Sequence, residues 1–396
     1  MLIVFSFMYR PKLTILSLST IHQDGRVLRE IEYAARAYDV TAVGWGRLDR
    51  ERPHVTMRPV QKITLPPAQR AMQVARMLGG RITRRAFERW YWAKPDHHQA
   101  LQAIIAARPD LIHANEAISL PIAIAAAGRT GAKVLFDAHE YSPEQRSDSF
   151  SWRVLAQPLY TYIIITYAPL ADAMITVEDH IAQRYETLIQ RNVSVIRNIP
   201  AYRQHDFHPT DPAHIRLIHH GAAMKERRLE RMIHLLSQVD ERYTLTFLLM
   251  PGTPGYLEAL KAQAAKLAPG RVFFQPVVPP SQITETIQHN DLGIYLLQPA
   301  NYNQAMALPN KFFEFIMAGL AVAIGPSPAM AALVEKYQLG VVAEDFESIT
   351  LSRRLNALSA GEIDAMKHQS LAAARELNAE NEMRKLHAIY TRLLDP

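Results

Sequence analysis

Asn310, Lys311 and Glu314 fall close together in the segment LPNKFFEFIMAG, residues 308–319. An amide, an ammonium and a carboxylate at the start of an apolar helix can do more than close its end. Free backbone N–H groups and the helix dipole attract an anion there. Lys311 adds a full charge beside them. Glu314, one turn in, can accept two neighbouring hydroxyls such as those of a ribose. Asn310 suits the N-cap, and Pro309 stops the helix from beginning earlier. A plain capped helix with solvated Lys311 and Glu314 has the same spacing. A second basic group, Lys225, Arg227 and Arg228, follows Gly221 in LIHHGAAMKERR. Glycine allows a ligand close to the backbone. Basic residues that open a helix oppose its dipole, and a bound anion would remove that conflict.

A third cluster ends an apolar run in FDAHEY: Asp137, His139 and Glu140. His139 could hydrogen-bond a hydroxyl or a developing charge, and Glu140 could orient or deprotonate an acceptor hydroxyl. Earlier, HQDGRV offers His22, Asp24, Gly25 and Arg26. Asp24 and Gly25 would form a loop beside the same site, although capping of the next helix is the simpler role for Asp24.

These residues need a frame that brings them together. LTILSLS, VTAVGWG, LIHANE, KVLFDAHEY, ADAMITVE and VSVIRNIP read as strands, with helices between them. After the Pro-rich linker IPAYRQHDFHPTDPAH the alternation restarts with IRLIHHG, YTLTFLLMPG, RVFFQPVV, DLGIYLLQP, LAVAIGPS and LGVVAEDF. Strands alternating with helices imply mostly parallel sheets. Two doubly wound, Rossmann-like domains facing a cleft are expected, over residues 1–200 and 201–375. A long charged helix, about 362–394, closes the chain, and residues 376–396 are expected to pack back on the first domain. Ligands in such folds bind beyond the carboxyl ends of the strands.

Composition narrows the function. Hydrophobic residues make up 48% of the chain and charged residues 21%, as expected of globular domains with real cores. There is no cysteine, so disulfide and thiolate-metal sites are excluded. Neither Asp-x-Asp nor His-Glu-x-x-His occurs. His97–His98 and His219–His220 are adjacent pairs that cannot both face one way along a strand, so no metal is expected. No G-x-G-x-x-G follows the first strand of either half, which disfavours a dinucleotide dehydrogenase. The N-terminal MLIVFSFMYR is too short to span a bilayer and reads as a leading extension or first strand, with weak membrane contact as the other reading. The net charge is +6. The segment from Pro66 to Lys94 holds seven basic residues against the single acid Glu88, so it matches the whole excess. With Phe87, Trp90, Tyr91 and Trp92 among them, these residues suit an anionic membrane surface. A solvated helix is the plainer reading, and phosphate contacts to nucleic acid the weaker one.

Taken in order, the motifs resemble a GT-B glycosyltransferase of the large family 4 group. DGRVLREIEYAARAYDVTAV resembles its Asp-x-Arg-Val opening, and FDAHEYSPE its Asp-x-His-Glu segment. ADAMITVEDHIAQRY with VIRNIP is similar to the end of its first domain. HHGAAMKERRLERMI is similar to its phosphate loop, LPNKFFEFIMAGLAVAIG to its donor helix, and ELNAENEMRKLHAIYTRLL to its terminal helix. The resemblance covers nearly the whole chain. It implies a nucleotide-sugar donor with Glu314 on the ribose, Arg227 at the phosphate-binding Lys position, and His139 near the donor sugar. Transfer with retention, without metal or further cofactor, is implied as well. Two positions depart from the pattern. Met306 stands where the family often has a Glu, eight residues before Glu314, and Ala222 where it commonly has an Arg. Amides of residues 307–310 could replace the missing Glu.

The expectation is a cytoplasmic hexosyltransferase, peripheral on the membrane, acting on a lipid-linked or polysaccharide acceptor and not on nucleic acid. A nucleotide-sugar epimerase and a non-catalytic binding module of the same fold are the alternatives.

Overall fold

The computed structural model describes residues 10–63, 66–80 and 82–395. Residues 1–9 of the apolar opening segment and Arg81 of the basic segment lie outside the described residues. The chain divides into two compact units, Met1–Ile196 with Met383–Pro396, and Arg197–Glu382.

The first unit is built on seven parallel strands: β1 (Lys12–Thr20), β2 (Asp39–Trp45), β3 (Val55–Val60), β4 (Leu111–Asn115), β5 (Lys133–Ala138), β6 (Ala173–Thr176) and β7 (Ser194–Val195). Their order is β3-β2-β1-β4-β5-β6-β7. Helices cover both faces of such a sheet, so central strands read as nearly continuous apolar runs. All five residues of β4 are buried, His113 and Asn115 included. The order reverses between β1 and β4, which opens a crevice at their carboxyl ends. Helix α1 (Gly25–Ala34) follows β1. Its N-cap is Asp24, whose Oδ1 accepts from the Val27 N–H at 3.2 Å. Val27, Ile31 and Ala34, spaced for one helical face, enter the core of this unit.

The second unit repeats the plan with six parallel strands: β8 (Ile215–Ala223), β9 (Tyr243–Pro251), β10 (Val272–Gln275), β11 (Leu292–Tyr295), β12 (Ala321–Ile324) and β13 (Gly340–Val342). The order is β10-β9-β8-β11-β12-β13, reversing between β8 and β11. The helix Asn310–Met317 lies between β11 and β12 and buries Phe312, Phe313, Phe315, Ile316 and Met317. Each such side chain contributes about 1.5–3 kcal/mol of transfer free energy. Gly293 makes the close docking possible, because a Cβ there would sit 2.1 Å from the Phe315 ring. The helix start is thereby fixed at the carboxyl edge of the sheet.

The GT-B class expected from the sequence, two Rossmann-like domains with a returning terminal helix, is the architecture observed. The terminal helix Ala379–Leu394 starts in the second unit, and its Met383, Leu386, Ile389 and Tyr390 join the core of the first.

Four expectations are corrected. The long closing helix is two helices, Ala360–Ala374 and Ala379–Leu394. Asn378 separates them, its side chain accepting from the Asn381 N–H at 2.9 Å as a cap. Strand β3 was not expected. It is an edge strand carrying Pro59, half exposed, with no apolar run to announce it. Lys225, Arg227 and Arg228 do not open a helix. Residues Lys225–Arg227 form a single 3-10 turn, Arg228 is left-handed at φ 48, and the helix begins at Glu230. The dipole conflict is thereby relieved within the fold. Asn310 is the first helical residue and Pro309 the N-cap; the Asn310 carbonyl oxygen of the side chain accepts from the Asn198 amide at 3.1 Å.

The basic segment is also arranged differently. Helix α2 (Pro67–Gly80) and helix α3 (Arg84–Trp92) carry it. Phe87, Trp90 and Tyr91 are buried, so these aromatics are core and do not face outward. Glu88, the lone acid, accepts from the Tyr162 and Tyr167 hydroxyls at 2.6 Å each. Lys94 lies 3.8 Å from the Trp90 ring centroid. No described helix is long and apolar enough to cross a membrane.

Candidate active site

The switch point of the second sheet gathers Gly221, Arg227, Lys311 and Glu314. Gly221 lies near the end of β8 at φ 136, a backbone conformation that favours glycine. A Cβ there would meet Lys311 Nζ at 2.8 Å and Arg227 Nη1 at 3.4 Å. Two cations from separate elements therefore converge on one glycine. Lys311 comes from the first turn of the helix Asn310–Met317, and Arg227 from the 3-10 turn after β8. Burial, and then the neighbouring Arg227, lowers the Lys311 ammonium to about 7, with Glu314 opposing. Such a cation is short of counter-charge and suits an anion.

Glu314 stands one turn along the same helix. Burial raises its carboxyl to about 7 against the opposing pull of Lys311. Its Oε2 lies 3.3 Å from His220 Nε2. His219, the preceding residue, pairs its Nδ1 with the Ile294 carbonyl at 2.8 Å and turns Nε2 toward Lys311 Nζ at 3.4 Å. Lys311 Nζ also lies 5.6 Å from the Tyr295 ring centroid. The structure thus brings Gly221, Arg227, Lys311 and Glu314 into one site with Asn310 at its rim. Met306 follows the short helix Tyr302–Ala305, and the Ala307 N–H is turned to the Gln304 carbonyl at 3.4 Å.

The first unit holds the other set at its own switch point. Asp137, read as facing the site, is fully buried instead. Arg26 grips its Oδ2 through Nε at 2.8 Å and Nη2 at 2.6 Å, and donates to the Ile196 carbonyl. Glu30 lies 3.2 Å from the same guanidinium. Glu30, His113 and Asp137 each place one ligand atom within 4.8 Å of the others. A metal ion there would have to displace Arg26 from both carboxylates. The cluster is an internal ion pair network, closed by the Tyr390 hydroxyl 2.7 Å from His113 Nδ1.

His139 follows β5. Its Nε2 is 2.8 Å from Asn115 Oδ1, and its Nδ1 3.8 Å from Glu116 Oε1. Burial lowers it to about 4, with Asp137 opposing and Arg26 reinforcing. The imidazole is therefore neutral at pH 7, a hydrogen-bonding group and not a cation. Glu140 accepts from the Gln145 amide, and burial raises its carboxyl to about 7, near the range useful for general acid–base work. Asp24 caps α1 through Oδ1 and accepts from the Ser19 hydroxyl through Oδ2 at 2.9 Å. Gly25 is the first residue of that helix, with open space where a Cβ would stand.

Sequence reasoning missed Glu116. It follows β4 with φ 64 and ψ 152, a conformation rare outside glycine that costs about 1–3 kcal/mol. Burial, then Asp24 and Asp137, raises its carboxyl. Its letter in LIHANE gave no sign of this strain. His219 and His220 were weighed only as metal ligands.

The family model for Glycosyltransferase Family 4 matches residues 31–199. No curated protein sequence matches the chain. HepE of Anabaena, solved with UDP and glucose, is similar over 97% of this chain and 100% of its own, at 15% identity and TM-score 0.66. Sucrose-phosphate synthase of Thermosynechococcus elongatus is similar over 97% and 99%, at 12% identity and TM-score 0.71. A glycosyltransferase of Rickettsia africae is similar over 98% and 99%, at 11% identity and TM-score 0.68. The chain has the GT-B fold of these proteins, and the match to the family model falls almost wholly within its first unit.

Proposed function

We propose that this GT-B glycosyltransferase takes its sugar from a nucleoside-diphosphate donor held by the second unit. One observation carries the reading: Lys311 and Arg227 meet over Gly221, one helical turn from the Glu314 carboxylate. The diphosphate lies against the two cations and the amides of the helix start beside Asn310, and Glu314 accepts the ribose hydroxyls. As the glycosidic bond breaks, negative charge grows on the leaving diphosphate. Fixed cations there stabilise that charge more than the ground state. HepE, one of the similar structures, was solved with UDP-glucose, which supports a uridine diphosphate sugar as the first donor to test. Transfer with retention, without a metal ion or further cofactor, belongs to the same proposal and follows from the motif resemblance.

On the acceptor side His139 hydrogen-bonds hydroxyls as a neutral imidazole. Glu140 orients or deprotonates the acceptor, with Asp24 and Gly25 in the adjoining loop. The acceptor is a glycan or lipid-linked sugar, met by a peripheral protein on the cytoplasmic face of an anionic membrane. Exposed Met72, Val74 and Leu78 on α2 and Ile82, 90% exposed, support this contact, beside exposed Arg84 and Arg85. The buried aromatics take no part in it.

The donor reading is tested by thermal unfolding with a panel of nucleotide sugars and free nucleoside diphosphates. At least one uridine diphosphate ligand should raise the transition; no shift with any of them sinks the reading. Membrane contact is tested by sedimentation with vesicles rich in anionic lipid. Binding should fall when Arg84 and Arg85 become Ser, and unchanged binding contradicts it.

A further inference from the structure

We infer that His219 and His220 are positioning residues for the two ends of the donor: His219 holds Lys311 for the diphosphate, and His220 holds Glu314 for the ribose. The inference rests on the donor site proposed above. Consecutive residues of a strand point to opposite faces of the sheet. That geometry excludes the pair as joint metal ligands, and it lets one dipeptide serve two separate side chains.

His219 is fully buried in the middle of β8. Its Nδ1 is 2.8 Å from the Ile294 carbonyl oxygen, which can only accept, so Nδ1 carries the proton. Nε2 is then a lone pair, and it faces Lys311 Nζ at 3.4 Å. An acceptor at that point draws the ammonium toward β8 and away from solvent. Lys311 Nζ is faced by His219 from β8, Arg227 from the 3-10 turn, the Tyr295 ring from β11 and Glu314 from its own helix. His219 supplies neutral acceptance beside the Arg227 charge. Burial keeps His219 well below its ordinary range, so it adds no competing positive charge.

His220 is buried on the other face, its ring edge-on to Phe315 at 5.4 Å. Nε2 lies 3.3 Å from Glu314 Oε2 yet completes no hydrogen bond among the described residues. A buried nitrogen left open beside a half-buried carboxylate is costly unless something fills it. A ribose hydroxyl shared by Glu314 and His220 satisfies both groups.

The test uses the full chain, with UDP and uridine as separate probes in thermal-shift and calorimetric titrations. Asn at position 219 keeps an amide where Nδ1 stood and so retains the bond to Ile294, but it lacks Nε2. Gln reaches the Nε2 position. His219→Asn should lose about tenfold in UDP affinity while uridine, at millimolar concentration, binds as before; His219→Gln should restore much of it. The pH above which UDP affinity falls should move down in His219→Asn, because loss of an acceptor destabilises the charged Lys311. His220→Asn should weaken UDP and uridine alike. Equal loss of both ligands in His219→Asn, no rescue by Gln, or unchanged binding in both Asn variants overturns the inference. If the unaltered chain binds UDP and the variants are indifferent, only the positioning roles fall. If it binds no UDP, the donor reading falls with them.

Discussion

Lys311 and Gly221 set the behaviour of the site at the residue scale. The Lys311 ammonium is lowered to about 7 in the free protein, first by burial and then by Arg227. A bound diphosphate stabilises the charged form, so binding takes up a proton near and above neutral pH. Affinity for UDP should therefore fall as pH rises from 7 to 9. Titration calorimetry at pH 8, in two buffers of different ionisation enthalpy, should report net proton uptake; none would contradict the placement of Lys311 against phosphate. Gly221→Ala is a second probe. A methyl group there would press on Lys311 Nζ, 2.8 Å away, in a backbone conformation that alanine resists. The lysine end can move, so the chain should still fold, with UDP binding weakened about tenfold or more. Unchanged affinity would separate Gly221 from the diphosphate. The residues of this site were legible as a basic helix start and a glycine after a strand. Their convergence was not, because contact between residues 221 and 311 depends on strand order. The cap was misassigned for a local reason: proline fits the N-cap dihedrals although it has no side-chain oxygen to accept a bond from the first turn, which moved Asn310 inside the helix.

At the scale of elements, the ion pair network joins α1, β4, β5 and the terminal helix. Arg26 serves both Asp137 and Glu30, all buried. Arg26→Met would leave two buried carboxylates without their cation. It should cost about 3–5 kcal/mol, read from denaturant unfolding. A loss under 1 kcal/mol would show the pair to be unimportant. Glu30 gives the pH sign. Burial raises its carboxyl to about 7, with His113 the largest opposing influence. The folded state then binds a proton more tightly than the unfolded chain does. That contribution is fully present below about pH 4.5 and is lost as pH rises through 7. Melting temperature should decline between pH 5 and 8 more steeply in the parent chain than in Glu30→Gln. Equal slopes would contradict the buried, proton-binding Glu30. Strands were the most legible elements here, since β5, β11 and β12 are largely apolar runs bounded by polar residues. β3 escaped because an edge strand needs no such run. The closing helix was read as one piece because its helical residues continue on both sides of Asn378, and only the cap breaks it.

The whole molecule follows one plan twice, with the candidate site residues of each unit near the point where its strand order reverses. The terminal helix adds Met383, Leu386, Ile389 and Tyr390 to the first core. Tyr390→Ala removes both that packing and the partner of His113, so the first unit should lose about 3–5 kcal/mol. UDP should stabilise this variant as it does the parent, since the proposed donor residues lie in the other unit. The motif order made the fold readable over nearly the full chain, while a motif does not specify the donor sugar. The most direct measurement is the thermal transition of the full chain with and without UDP and UDP-sugars, beside Glu314→Ala. The donor reading predicts a clear rise in the parent chain and a rise lost or much reduced in Glu314→Ala. A parent chain that no nucleoside diphosphate stabilises, or a Glu314→Ala variant stabilised as strongly as the parent, would contradict it.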